Sequence, residues 1–330
     1  MDMRRLGTFG PLVSSIGLGA MSISGMYGAT TEAETMRLLA RTVDLGVNHF
    51  DTADIYGMGQ SEDLIGRFLR ESRARVMIAT KAAIRFVQAT GERRVDNSPA
   101  HLRSSLEKSL KRLGRDHVEL FYVHRRESDR PIEEAIEALA ALKREGKIGA
   151  IGLSEVSPET LRRAHRVHRI AAVQSEYSLW SRDVEKRMLD TCRELGVAFV
   201  AFSPLARGML AGTPLEPSSF PKGDFRRANP RFLEPAFSQN RDALAGFEAL
   251  ARRRGMTPAQ MALAWVLAAN RDVIAIPGTR SAEHMAENVA AARFALTRAD
   301  REEIASVFPT GFPWGNRYSD AQLLGVEASD

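Results

Sequence analysis

Cysteine and long apolar runs are almost absent from this chain. Cys192 is the one cysteine among 330 residues, so no disulfide can form within the chain, and a reducing compartment is indicated. The first residues lack the apolar centre of a signal peptide, and no apolar run approaches the roughly 20 residues that cross a bilayer. We therefore expect a cytoplasmic protein with no membrane partner.

A large excess of one charge is also missing. Lysine and arginine total 46 and aspartate and glutamate 41, which gives a formal net charge of +5. The run Arg252-Arg253-Arg254 falls in a segment with helical periodicity, where a solvated face is expected. His165 and His168 have no companion ligand at metal spacing. These features argue against a nucleic-acid partner and against a bound metal.

The glycine-rich fingerprints of phosphate-binding loops are missing as well. Gly17-Leu18-Gly19-Ala20-Met21-Ser22 lacks the third glycine of the dinucleotide-binding motif, and no Walker sequence is present. This absence argues against an open, doubly wound sheet, which is the main alternative for a chain in which strands and helices alternate.

Alternation of strand and helix patterns is the main feature that is present. Eight strands are predicted, beginning at Ile16, Val47, Val76, Val118, Ile148, Ala172, Val197 and Val273. Helices are predicted after Thr30 and at Ser61 to Arg70, Ser98 to Leu113, Ile132 to Glu145, Pro158 to Val167, Val184 to Leu195, Asn240 to Arg253, Pro258 to Ala269 and Ser281 to Ala292. Eight such units predict an α/β fold, a (β/α)8 TIM barrel, with right-handed crossovers.

The predicted barrel is a single domain over residues 1–330 with three additions. Two short extended pieces within Leu6 to Val13 predict a hairpin that closes the barrel floor. A polar, proline-rich insertion runs from Leu210 to Pro235. The tail beyond Val307 is expected to form an arm over one face of the barrel.

Four chemically useful side chains follow three successive predicted strands. Asn48-His49-Phe50-Asp51 leads an apolar strand into an acid, and Tyr56 comes five residues later. Lys81 ends the next strand, and His124 ends the one after it. Because the carboxyl ends of parallel barrel strands share one face, we expect these four side chains to meet.

The four side chains suit carbonyl reduction by hydride transfer. An ammonium group beside a phenol makes the phenol a better proton donor near neutral pH. Lys81 can supply that charge, Asp51 can hold the lysine, and Tyr56 can then protonate a developing alkoxide. His124 can orient the carbonyl oxygen. A Schiff base on Lys81, as in an aldolase, is a separate possibility, but a fixed carboxylate at Asp51 would keep the lysine protonated.

The segments Asn48–Gly57, Thr80-Lys81 and Tyr122-Val123-His124-Arg125 resemble those of the aldo-keto reductase superfamily. The resemblance covers nearly the whole chain and is greatest to the long-loop microbial and plant branch with pyridoxal reductase-like members. It implies that Asp51, Tyr56, Lys81 and His124 form a catalytic tetrad in which Tyr56 is the general acid. It also implies an NADPH/NADP+ cofactor and a small carbonyl substrate.

The resemblance also implies where that cofactor binds. Ser154 and Gln174 would hold the nicotinamide carboxamide, and Phe202 would stack on the nicotinamide; Glu155 stands where relatives often carry asparagine. The remaining cofactor residues implied are Ser203, Pro204, Leu205, Arg207 and Gly208 at the pyrophosphate, Gly278, Thr279 and Arg280 at the adenosine phosphate, and Glu287 and Asn288 at the adenine. The donor fork of Arg280 suits a 2′-phosphate and favours NADPH over NADH.

Two functions are compatible with these expectations. The first is an NADPH-dependent reductase of aldehydes or ketones, with an apolar substrate pocket shaped by Met21, Tyr27, Trp180 and Trp314. The alternative is a nicotinamide-binding regulatory subunit that resembles the potassium-channel β proteins and works through a partner. Enzymatic turnover distinguishes them, and the identity of the carbonyl compound stays open.

Overall fold

The strands of the structure alternate with helices along the chain. The structure is a computed structural model that describes residues 2–87, 92–309 and 311–328. Its strands are β1 (Met3–Arg5), β2 (Leu12–Ser14), β3 (Leu18–Gly19), β4 (His49–Asp51), β5 (Met77–Ala82), β6 (Ile84–Phe86), β7 (Arg93–Val95), β8 (Val118–Val123), β9 (Ile148–Ser154), β10 (Ala172–Glu176), β11 (Ala198–Phe202) and β12 (Val273–Ile276). Its α-helices are α1 (Glu32–Asp44), α2 (Gln60–Ser72), α3 (Pro99–Leu113), α4 (Ile132–Arg144), α5 (Pro158–Val167), α6 (Met188–Leu195), α7 (Ala236–Asp242), α8 (Leu244–Arg253), α9 (Pro258–Leu267), α10 (Ala282–Ala290), α11 (Arg298–Ser306) and α12 (Asp320–Leu323).

Eight of these strands form one parallel sheet in the order β3-β4-β5-β8-β9-β10-β11-β12. Its two edges meet through Ile16, which precedes β3 and forms a parallel bridge with Ala275 of β12. The Gly17 amide donates to the Ala275 carbonyl at 2.8 Å, and the Ala275 amide donates to the Ser15 carbonyl at 2.9 Å. These contacts bring the edges together as the predicted (β/α)8 TIM barrel.

The N-terminal hairpin is present and closes the barrel floor, but its first strand is Met3–Arg5, before the predicted Leu6 to Val13 segment. β1 and β2 pair antiparallel, and Leu6 and Val13 are fully buried. They pack against inward-facing strand residues, which include Met77, Leu120 and Val200. Two apolar side chains therefore fill the amino-terminal end of the barrel, which leaves the carboxyl end for polar groups.

Local capping explains why many predicted helix starts agree with the structure. Ser98 caps α3 and Ser157 caps α5, and a proline occupies the first helical position of each. Thr257 caps α9 and forms a capping box with Gln260. Gly196 ends α6 in the left-handed region, with φ of 66°.

Other predicted boundaries are wrong. The segment from Val184 begins with a separate 3₁₀ turn, and α6 starts only at Met188, because Arg187 departs from helical geometry. The helix expected from Asn240 is two helices, which begin at Ala236 and Leu244. Within the predicted insertion from Leu210 to Pro235, the chain forms short 3₁₀ turns.

An additional antiparallel hairpin, β6–β7, follows β5 at the mouth of the barrel. This hairpin was not predicted, because its strands are three residues long and rich in arginine and therefore show no apolar alternation. The hairpin contacts the C-terminal arm, since Arg93 donates to the carbonyls of Ala321 and Leu324.

The arm beyond Val307 crosses the carboxyl ends of the strands, as predicted. Its Glu327 amide donates to the Glu155 carbonyl at 2.9 Å, and its Glu327 carboxylate pairs with Arg126. Arg317 of the arm pairs with the Glu155 side chain. Within the described ranges, no helix has the length and apolar character needed to cross a membrane.

Candidate active site

The alternation of side chains along the strands determines which residues enter the site. In β5 the inward series runs Met77, Ala79, Lys81, and the first two members pack in the barrel interior. In β8 the same period continues from Leu120 and Tyr122 to His124, one residue past the strand. A series that is apolar at the floor therefore ends in a titratable side chain at the carboxyl end.

The four predicted catalytic residues meet at this end. The Lys81 ammonium forms an ion pair with the Asp51 carboxylate and donates to the Thr52 carbonyl at 2.8 Å. Its Nζ lies 3.5 Å from the Tyr56 hydroxyl. The Tyr56 ring meets the His124 ring edge to face, with centroids 5.9 Å apart and an angle of 82°.

The environment keeps Lys81 charged although it is fully buried. Burial favours the neutral amine, but the Asp51 carboxylate and Tyr56 outweigh this effect, so the pKa of Lys81 lies above its usual value. The ring of Tyr122 also lies 5.8 Å from the ammonium. Gly152 makes room for that ring, because a Cβ there would lie 2.3 Å from a Tyr122 ring carbon.

His124, unlike Lys81, is held in its neutral form by its environment. Burial lowers the pKa of its imidazole well below the usual range, and the cations Arg125, Lys81 and Arg93 lower it further. The ring is therefore neutral at neutral pH and has one N–H with which to orient a carbonyl oxygen.

A cavity of about 890 Å³ opens from these residues along the barrel mouth. Asp51, Tyr56 and His124 lie at one end of it. Each predicted cofactor residue also lines this cavity, namely Ser154, Gln174, Phe202, Ser203, Pro204, Leu205, Arg207, Gly208, Gly278, Thr279, Arg280, Glu287 and Asn288. The volume falls within the range of about 300–1,000 Å³ typical of ligand sites.

Gln174 and Ser154, which were predicted to hold the nicotinamide carboxamide, form hydrogen bonds with other side chains of the protein. Gln174 donates from Nε2 to the second Asp51 oxygen at 2.7 Å, which fixes the carboxylate that holds Lys81. Ser154 accepts from Arg125 at 3.2 Å. Neither contact could be predicted from the sequence, because the partners lie on non-consecutive elements.

Arg207 contributes to the cavity wall, but its donor fork is already occupied. It makes two hydrogen bonds with Glu176, of 3.0 and 2.7 Å, and both side chains are buried. Arg231 and Arg317 lie 3.6 and 3.7 Å from the same carboxylate. Although burial favours the neutral acid, these three arginines lower the pKa of Glu176 to about 2.

Glu155, which stands where relatives often carry asparagine, belongs to the same network of charged side chains. Its φ of 56° lies in the left-handed region, which asparagine adopts more readily than glutamate. One carboxylate oxygen accepts from the Glu176 amide at 2.9 Å, and the other pairs with Arg317 at 2.5 Å. Its side chain therefore fixes the arm and the end of β10.

The far end of the cavity has the features of an anion site. Arg280 is exposed, donates to the Ala29 carbonyl at 2.6 Å and has no carboxylate partner among the described residues. Ser281 caps α10, whose first turn, including His284, faces the cavity. A helix N-terminus and an unpaired guanidinium both favour a phosphate.

Two of the four predicted rim residues lie elsewhere. Met21 and Tyr27 line the cavity. Trp180 is buried and stacks on Phe312, and Trp314 is held by backbone hydrogen bonds to Asn240, so neither is among the described lining residues. The prediction that these tryptophans shape the pocket is wrong, because the C-terminal arm folds them into an aromatic cluster.

Several lining residues were missed. Apolar walls near the tetrad come from Ile55, Met58, Ile84 and Phe86, and Tyr318 reaches the cavity from the arm. Arg93 and Arg125 also line it. Arg125 follows His124 directly, so its place in the sequence could have indicated it; Arg93 depends on the unpredicted hairpin.

Comparison with known proteins is consistent with this geometry. The sequence profile of the aldo/keto reductase family matches residues 15–308. The chain belongs to the aldo/keto reductase family. Within it, the chain is 38% identical over 311 residues to "Aldo-keto reductase yakc [NADP(+)]" of Schizosaccharomyces pombe, covering 93% of this chain and 92% of that protein. It is 39% identical over 316 residues to "Probable aldo-keto reductase 1" of Glycine max, with coverage of 95% and 91%.

Solved structures of the family have the same fold. A glycerol dehydrogenase of Gluconobacter oxydans superposes with a TM-score of 0.85 at 30% identity and covers 97% of this chain and 98% of its own. An aldo-keto reductase of Bacillus halodurans gives a TM-score of 0.77 at 29% identity, with coverage of 98% and 99%. As an aldo/keto reductase, the protein has the general role of an oxidoreductase.

The Glu176 network makes a stability prediction. Glu176→Gln leaves the buried fork of Arg207 without a counter-charge, so the free energy of unfolding should fall by about 3–5 kcal/mol. Urea denaturation measures this change. Asp190→Asn is the matched control, because it breaks an exposed pair with Arg193 and should cost less than about 1 kcal/mol. Equal losses in the two variants would contradict the assignment.

Proposed function

We propose that this protein is an NADPH-dependent reductase that converts aldehydes or ketones to alcohols. The observation that carries the proposal is the buried Lys81–Asp51 ion pair, placed 3.5 Å from the Tyr56 hydroxyl at an open cavity. The fully buried Lys81 ammonium contacts the Asp51 carboxylate and also lies next to the Tyr56 phenol. That arrangement is suited to donating a proton to an oxygen in the cavity.

Each member of the tetrad has a separate role in the proposal. Tyr56 protonates the developing alkoxide, and Lys81 stabilises the phenolate that results. Asp51, which Gln174 fixes from the other side, holds the ammonium in place. His124 is neutral and donates its N–H to the carbonyl oxygen, so negative charge that develops there meets donors already in position.

NADPH, when bound, would supply the hydride. The residues of the cavity fit such a group: Phe202 offers a ring at the end of β11, and the loop after it lies beside the cavity. The unpaired Arg280 and the first turn of α10 lie together at the far end, where the cofactor's adenosine phosphate would bind. The name of the S. pombe relative, which specifies NADP(+), supports this choice.

The two other hypotheses receive less support. A Schiff base on Lys81 requires a neutral amine, whereas Asp51 and Tyr56 raise the pKa of this lysine. The regulatory-subunit hypothesis predicts negligible turnover, and the assembled tetrad at an open cavity argues for catalysis. Consumption of NADPH with a panel of aromatic aldehydes, dicarbonyls and pyridoxal distinguishes the enzyme from the regulatory subunit.

Tyr56→Phe separates chemistry from cofactor binding. The substitution removes the proton donor and keeps the ring against His124, so kcat should fall by about 10²–10⁴-fold. NADPH affinity, measured by fluorescence titration, should barely change. A Tyr56→Phe enzyme with nearly wild-type kcat at neutral pH would show that another group is the acid.

Arg280→Ala tests the opposite end of the cavity. Losing a hydrogen bond to a charged phosphate should weaken NADPH binding by about 1.5–3 kcal/mol. NADH lacks the 2′-phosphate and serves as the control within the same variant, because its affinity should hardly move. Equal weakening of both cofactors would assign Arg280 a structural role through its bond to the Ala29 carbonyl.

A further inference from the structure

The arginines that line the cavity divide into paired and unpaired groups. Arg207 is paired with Glu176, and Arg226 is paired with Asp224 through two hydrogen bonds of 3.0 and 2.8 Å. The other three, Arg93, Arg125 and Arg280, have no carboxylate within ion-pair distance in the part of the chain that the structure describes. Arg280 lies at the end of the cavity proposed to take the adenosine phosphate.

Arg125 lies beside the catalytic histidine. Its side chain is buried, with the residue 7% exposed, and it donates to the His124 carbonyl at 2.7 Å and to Ser154 at 3.2 Å. Its Nε has no hydrogen-bond partner among the residues that the structure describes. Both acceptors are neutral, so the positive charge is not compensated. A buried guanidinium without a counter-ion is costly, which indicates that a ligand completes the site.

Arg93 reaches the same end of the cavity from the β6–β7 hairpin. It is half-buried and donates to the carbonyls of Ala321 and Leu324 at 3.1 and 3.2 Å. Burial, followed by repulsion from Arg125, lowers the pKa of Arg93 to about 10, which leaves it charged at neutral pH. The two cations are therefore close enough to repel each other, and among the described residues they donate to backbone carbonyls and the Ser154 hydroxyl, all of them neutral.

The remaining groups at this end do not neutralise the two arginines. Asp51, the acid of the tetrad, is already paired with Lys81 and bonded to Gln174. Ile84 and Phe86 add apolar wall beside Arg93. The tetrad therefore faces a compartment with apolar sides and two uncompensated guanidinium groups.

We propose that Arg93 and Arg125 bind an oxyanion of the substrate, a carboxylate or a phosphate, while its carbonyl lies between Tyr56 and His124. The inference rests on the proposed reductase function and narrows its substrate class to aldehydes or ketones that carry a negative charge. Guanidinium forks bind carboxylates and phosphates through paired hydrogen bonds. Because Arg125 adjoins His124, the bound anion also positions the carbonyl at the tetrad.

Three matched aldehydes test the proposal: 4-carboxybenzaldehyde, 4-formylphenyl phosphate and the neutral methyl 4-formylbenzoate. With NADPH, kcat/KM for at least one anion should exceed that for the ester by about 10–100-fold, the effect of a hydrogen bond to a charged group. The preferred anion distinguishes carboxylate from phosphate. Equal kcat/KM for all three would overturn the anion proposal and leave carbonyl reduction standing.

Variants of single arginines test which side chains cause the preference for anionic substrates. Arg125→Met and Arg93→Met should each reduce the anion-to-ester ratio by about tenfold or more. Arg93 is only half-buried, so its variant keeps the test valid if Arg125→Met does not fold. Arg94→Met is the matched control: Arg94 neighbours Arg93, is exposed and pairs with Glu92, so the same loss of charge should leave the ratio unchanged. An equal fall in all three variants would overturn the proposal.

Equilibrium binding separates this inference from the reductase function. Calorimetry on the protein with NADP+ should show 4-(hydroxymethyl)benzoate or 4-(hydroxymethyl)phenyl phosphate binding at least about tenfold more tightly than methyl 4-(hydroxymethyl)benzoate, with the difference lost in Arg93→Met. If no aldehyde is reduced but this preference holds, the reductase function fails and the anion site stands. If neither anion binds more tightly than the ester, the anion site is refuted.

Discussion

The buried ion pair between Lys81 and Asp51 is the interaction on which the rest of the site depends. A lysine with 0% exposure is tolerated only because a carboxylate and the Thr52 carbonyl accept from it. The pair joins the ends of β4 and β5, and Gln174 extends it across the barrel to β10. Three strand ends are thereby fixed around the Tyr56 hydroxyl, which lies on the loop after β4.

A second buried network supports the neighbouring half of the mouth. Glu176 and Glu155 neutralise most of the charge of Arg207, Arg231 and Arg317, and thereby connect the loop after β11 to the C-terminal arm. The first network balances its charges, and each arginine of the second has a carboxylate within ion-pair distance. Arg93, Arg125 and Arg280 differ because no described carboxylate pairs with them. Uncompensated cations at both ends of one cavity are the reason for assigning anionic groups to both ends.

The sequence predicted the barrel and the meeting of the tetrad because both follow from local regularity. Period-two alternation places Lys81 and His124 in line with the core residues Ala79 and Tyr122, and parallel strands bring their ends to one face. Trp180 and Trp314 were misplaced because their positions depend on how the arm packs, which has no local periodicity. Arg93 and the Asp51–Gln174 contact were missed because they join elements distant in sequence.

The pH dependence of turnover in Asp51→Asn tests most directly whether this ion pair controls the site. In the wild type, Asp51 raises the pKa of Lys81 above its ordinary 10.5, so activity that requires the ammonium should persist to high pH. Removing the carboxylate leaves burial, which lowers that pKa, so the alkaline limb of the kcat profile should move to lower pH. His49, Tyr56 and Tyr122 also surround the ammonium and are unchanged by the substitution. An alkaline limb at the same pH in both enzymes would contradict the account.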